Sequence, residues 1–169
     1  MNQAHQDTTI GGYFKAGKIL FGAFIFGVIN FGIVITILFF IDVLPLVEIS
    51  PEYMIYFIAG SIIFFLLMGY LGSFIFHKKI SKVKSSQDFA KKLSAYREGK
   101  LIQAVTLEAA ALLAMVFTML NTHIIFVVIA ALSLLQMIRV FPKKSEIIEV
   151  LDLSYSEQQS LNNPEFDLR

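Results

Sequence analysis

The chain has 169 residues, 56% of them hydrophobic and 16% charged, with 14 Lys and Arg against 13 Asp and Glu. Soluble domains run at roughly 45–50% apolar and about 25% charged, so this composition excludes a soluble enzyme, a disordered chain and a nucleic-acid binder and points to a bilayer. There is no Cys, and His5, His77 and His123 lie far apart, so no disulfide, metal site or cofactor is expected.

Four apolar runs follow an N-terminal segment, 1–18, in which Tyr13 and Phe14 beside Lys15 and Lys18 suit the headgroup region. Runs 19–41 and 53–76 carry no charge and exceed the ~20 residues that cross a ~30 Å hydrocarbon core as a helix. The first ends at Asp42 without a small-residue cleavage pattern, so it is not a cleavable signal peptide. Run 101–120 carries one acid, Glu108, and run 124–140 ends beside Arg139. Only Asn121, Thr122 and His123 separate these two runs, which predicts a tight antiparallel hairpin. None of the runs alternates in polarity as the strands of a lipid barrel would. The expected fold is an all-α membrane bundle of four antiparallel helices over 19–140.

The distribution of charge sets the expected orientation. The link from Asp42 to Glu52 has three acids and no Lys or Arg, and the 121–123 turn has none either. All 14 basic residues fall on the opposite side. Lys/Arg bias in short loops marks the cytoplasmic face, so both termini are expected in the cytoplasm of a cell with a bacterial-type inner membrane.

Small residues at helical spacing mark candidate seams. Run one offers Ala16, Ala23, Gly27 and Asn30, and run two offers Ser61, Phe65, Gly69, Gly72 and Ser73. Run three offers Ala104, Glu108, Ala111, Met115 and Thr118. Such stripes serve packing within one bundle or a homo-oligomer interface. Asn30, in mid-span, is read chiefly as an interhelical hydrogen-bonding group, with a substrate or ion ligand as the alternative. Glu108 lies about 10 Å into its span. Reflecting the 101–140 hairpin about its turn places it opposite Gln136, with Arg139 one turn nearer the cytoplasm. A Glu108–Gln136–Arg139 cluster would satisfy the carboxylate as a structural clamp; the alternative is a proton or cation site.

The stretch Tyr96-Arg97, Leu101-Ile102 and Leu107-Glu108-Ala109-Ala110-Ala111-Leu112, with Pro142 soon after the last run, resembles small four-span bacterial membrane proteins that have no assigned activity. The likeness covers residues 96–153 and implies a fold and a location, not an activity. Arg97-Glu98-Gly99-Lys100 and then Leu107-Glu108-Ala109-Ala110 is also similar to the proton-binding helix of rotary ATPase proteolipids. That family needs a glycine-lined first helix. Here Gly17, Gly22, Gly27 and Gly32 step by five and share no face. Small multidrug transporters combine four spans with one acid in the first span, where this chain has only Asn30.

Two charged segments flank the last hairpin. Segment 77–100 has eight basic residues and two acids, and Phe89, Leu93 and Tyr96 predict an amphipathic helix from Gln87 to Glu98. Its lysines, Lys78, Lys79, Lys82, Lys84, Lys91 and Lys92, are expected to meet anionic lipid headgroups or the tail. The tail, 141–169, turns acidic from Ser145 onward, with six acids and one base. A short helix is expected after Pro142, and Ser154 with Glu157 has the form of a capping box that starts a second one. The acidic tail is expected to dock on the basic segment, with which it shares a side and has opposite charge; the alternative is a loose, solvated tail. No catalytic motif accompanies these features. The expected role is non-enzymatic, as a structural or accessory subunit, with a small proton- or ion-coupled carrier or oligomeric pore as the alternative.

Overall fold

The fold is that of a computed structural model, which describes residues 9–43, 47, 49–121 and 123–168. Residues 1–8, Glu48 of the acidic link, Thr122 of the predicted turn and Arg169 lie outside the described residues.

Among the described residues the regular structure is six helices: α1 Ile10–Phe40, α2 Pro51–Val83, α3 Phe89–Asn121, α4 Ile124–Arg139, α5 Lys144–Leu151 and α6 Tyr155–Asn162. The first three are long and apolar enough to cross a membrane. α4 has 16 residues, roughly 24 Å at 1.5 Å per residue, which is short of a full hydrocarbon thickness. It ends where Pro142 stops the helix, and α5 leaves at a bend of 75°.

The helices begin where local chemistry allows. Pro51 sits in the first turn of α2 behind Ser50, where its missing N–H costs nothing. Ser154 and Glu157 form the capping box that opens α6. Thr9 caps α1 by accepting from Gly12 N at 3.2 Å.

α3 is the central helix. A third (33%) of its most apolar stretch is buried inside the protein, against 11% for each of α1 and α2. Within its apolar run the buried positions are mostly small: Ala104, Ala110, Ala111 and Ala114, beside Gln103 and Leu107. Small side chains allow close backbone approach from more than one side. Gly72 of α2 uses this most tightly, since a Cβ there would collide with Thr106 Oγ1 and come within 3.1 Å of Gln103 Cα.

The core falls into three clusters along the bundle axis. At one end, Phe126, Ile129 and Ala130 of α4 meet Ala114 of α3, with Met54, Ile58 and Phe65 of α2 packed against them. In the middle, Val28, Leu107, Ala111 and Met137 join α1, α3 and α4. At the other end is a larger cluster built from α1, both arms of the α2–α3 hairpin and the tail.

Two expectations change here. The basic segment 77–100 is not a loop carrying a separate helix. Residues 77–83 continue α2 and residues 89–100 open α3, leaving only a short turn between the two arms. The inner seams of α2 and α3 follow the predicted stripes, with Ser61 and Gly72 buried, and Ala104 and Ala111 buried on α3. The α1 stripe does not. Ala16, Ala23, Gly27 and Asn30 are exposed, and the inner face is Ile10, Tyr13, Gly17, Phe21, Val28 and Ile35. α1 packs chiefly against one neighbour, the alanine-rich α3. The small residues therefore sit on α3, and α1 contributes the large ones.

Candidate functional site

The bundle carries a folded head at its lysine-rich end. Ile147, Leu151, Leu153 and Leu161 of the tail are almost fully buried against Phe76, Ile80 and Val83 of α2 and Leu93 and Tyr96 of α3. Apolar contact is thus the larger part of the attachment, and charge fixes its register. Lys92 Nζ donates to Glu157 Oε1 at 2.8 Å, with the two side chains 7% and 15% exposed. Burial pushes the Glu157 carboxyl up, but hydrogen bonds from Lys92 and Ser154 and the Lys92 charge outweigh it, and the net shift is downward.

Lys100 is enclosed more completely. Its ammonium pairs with Glu146 Oε1 and lies 5.0 Å from the centre of the Phe76 ring and 5.7 Å from that of Tyr96. Tyr96 Oη donates to the other Glu146 oxygen at 2.9 Å. A buried cation with aromatic faces and a doubly bonded carboxylate satisfies the demands of a buried ion pair. Burial, with Glu146 beside it, holds the Tyr96 hydroxyl protonated far above the ordinary tyrosine range. Tyr13 is held up by burial too, and its hydroxyl donates to Leu93 O at 2.7 Å.

The tail closes on α1. Ile10 N donates to Phe166 O at 3.0 Å and Gly11 N to Pro164 O at 2.9 Å, and Thr9 forms an antiparallel bridge with Asp167. A helix leaves its first N–H groups without internal partners. Here the end of the tail supplies the acceptors. Gly11 allows the approach, because a Cβ would lie 3.0 Å from Pro164 O. The described ends of the chain therefore meet at one end of the bundle.

The predicted lysines divide into two groups. Lys92 holds the tail, and Lys84 lies 4.0 Å from Asp152. Lys79 pairs with Glu98 at 2.6 Å, within the hairpin, and holds that carboxyl below its usual range. Lys78, Lys82 and Lys91 are exposed on the flank that the tail leaves open. Lys100, Tyr96 and Tyr13 were not among the expected site residues. The signal for two of them lay in the stripe Phe89, Leu93, Tyr96, whose next helical position is Lys100.

The intramembrane polar groups do not form the expected cluster. Glu108 Oε1 lies 3.7 Å from the position of a Cβ on Gly27 of α1, whereas Gln136 Oε1 lies 3.5 Å from that on Gly69 of α2. The two side chains are directed to different neighbours because α1 and α2 pack on different parts of the α3–α4 pair. Among the hydrogen bonds and ion pairs of the described residues, none joins Glu108, Gln136 and Arg139. Arg139 is exposed in the last turn of α4, a position favoured by the helix dipole. Asn30 is exposed on α1 and donates to its own helix, to Phe26 O at 3.0 Å, so within the chain it bridges no pair of helices. The chain matches no protein-family profile, no curated protein and no solved structure.

Proposed function

We propose that this chain is a non-enzymatic, multi-pass subunit of a membrane complex, and that the α1 face beside Glu108 is where it meets another membrane helix. The observation that carries this reading is Glu108 itself. Its half-buried carboxylate lies against Gly27 with no hydrogen bond or ion pair among the described residues. A carboxylate at membrane depth is costly without a partner. The face beside it, Ala23, Gly27 and Asn30, is exposed and small enough for a second helix to approach. We place four spans in a bacterial-type inner membrane, with α4 as the short fourth and both termini in the cytoplasm. The one-sided distribution of Lys and Arg and the pairing of Thr9 with Asp167 support this arrangement.

A photo-crosslinking residue at Gly27, in native membranes, tests the reading. The expected result is a protein adduct of discrete mass, from a partner or a second copy, that is lost in Glu108→Leu. Adducts to lipid alone would contradict it. The same unpaired carboxylate supports a second reading, a proton- or ion-coupled carrier. Reconstituted alone in liposomes, a carrier shows flux that Glu108→Gln abolishes, whereas a subunit shows none that depends on this residue.

A further inference from the structure

The flank of the α2–α3 hairpin opposite the tail holds a groove of about 370 Å³, lined by Ile75, Lys78, Lys79 and Lys82 of α2 and by Lys91, Ser94 and Glu98 of α3. Four lysines face one carboxylate there. Glu98 is already engaged by Lys79 at 2.6 Å and by Ser94 at 3.3 Å, and the ammonium groups of Lys78, Lys82 and Lys91 pair with no carboxylate among the described residues, Asp88 accepting only from Lys91 N. The tail acids that pair with the hairpin do so on the other flank: Glu157 with Lys92, Glu146 with Lys100, and Asp152 near Lys84.

The groove also has a defined depth. Tyr70 and Phe74 are exposed on α2 and stack with ring centres 6.1 Å apart, and the Lys78 ammonium lies 5.9 Å from the Phe74 ring centre. Tyr70, Phe74 and Lys78 are spaced by four and form one line along the helix. The exposed apolar side chains Leu67, about one turn below Tyr70, and Leu71, beside it, continue the line away from the lysines. Aromatic side chains mark the headgroup level of a membrane helix, and lysines just beyond it reach the aqueous side. A line that runs from aliphatic through aromatic to ammonium matches the sequence of acyl chain, interface and phosphate in one lipid molecule.

We propose that this groove is a binding site for an anionic phospholipid, with its phosphate held by Lys78, Lys82 and Lys91 and its acyl chains lying along Leu67, Leu71 and Phe74. The proposal rests on the membrane reading of the chain and is independent of the partner proposed at Glu108. The occupant is a lipid rather than a free phosphate because the cation site continues into an apolar track at the bilayer level.

Native mass spectrometry of the full chain in detergent, titrated with phosphatidylglycerol, phosphatidylcholine or inorganic phosphate, provides the test. The first phosphatidylglycerol is expected to bind at least tenfold more tightly than phosphatidylcholine. Each lysine removed near an anionic headgroup should weaken binding roughly fivefold. The triple variant Lys78→Gln, Lys82→Gln, Lys91→Gln should therefore lose the preference, while Lys15→Gln with Lys18→Gln keeps it. The Lys→Arg triple keeps the charge and should retain the preference, which separates loss of the site from loss of fold. Equal binding of the two lipids, or an unchanged preference in a folded Gln triple, would overturn the proposal. Displacement of the lipid by equimolar inorganic phosphate, or by a Glu-rich peptide, would overturn the assignment of a lipid occupant. Failure of the Gly27 crosslink would leave these outcomes unaffected.

Discussion

At the scale of single residues, the head is held by charges that are enclosed. Lys100 is 4% exposed and depends on Glu146 for its counter-charge. Removing one partner of a buried pair costs about 3–5 kcal/mol, and Glu146 is partly exposed, so Glu146→Gln should cost about 2–3 kcal/mol in detergent unfolding. Lys79→Gln, at an exposed pair, should cost under about 1 kcal/mol. The Lys92–Glu157 pair gives a pH test. Glu157 ionises more readily in the folded chain than the ordinary carboxyl value of 4.5 allows. A depressed carboxyl contributes its full stability above the unfolded value and loses it as pH falls through the folded one. Hydrogen exchange in α6, corrected for intrinsic rate, should thus be steady above about pH 5 and quicken below pH 4, and Glu157→Gln should flatten the change. Lys92 was legible in the sequence because charge segregation marks it. Lys100 was marked only by its place at the end of the Phe89, Leu93, Tyr96 stripe, and the fold alone supplies Glu146 and the two rings. The Glu108–Gln136–Arg139 cluster failed because reflection about a turn sets depth and not azimuth.

At the scale of elements, hydropathy gave the position of three spans and understated their length. α2 runs seven residues past the predicted end at Phe76, and α3 starts at Phe89 rather than at Leu101. The stripe Phe89, Leu93, Tyr96 signals helix at the start of α3 but not its continuity with the span. α2 continues through polar sequence because the two arms pack on each other and on the tail, and tertiary packing stabilises helix where hydropathy carries no signal. The tail elements were legible from Pro142 and from the Ser154–Glu157 box, both of which act locally. The α1 face was not, since small residues mark a seam only when the neighbour offers large ones, and α3 offers alanines. Glycine substitution separates the tight seam from open surface. Gly72→Leu should cost about 1–3 kcal/mol by overpacking against Gln103 and Thr106. Gly60→Ala should be neutral or slightly stabilising, because a Cβ there meets nothing within 4 Å. Thermal melting of the two variants in one detergent checks the contrast.

At the scale of the whole molecule, the membrane bundle and the folded head are one structure, joined by helices that run through both. The start of α1, the α2–α3 turn and the tail meet at one end of the bundle, and the proposed four-span arrangement has α4 cross despite its 16 residues. The chain has no Cys, so single cysteines can be labelled in intact cells with a membrane-impermeant maleimide. Glu52→Cys and His123→Cys should react without permeabilisation, and Ser85→Cys and Ser156→Cys only after it. Labelling of Ser85→Cys and Ser156→Cys from opposite sides, or protection of His123→Cys from outside reagent, would contradict the four-span arrangement and the closed head together.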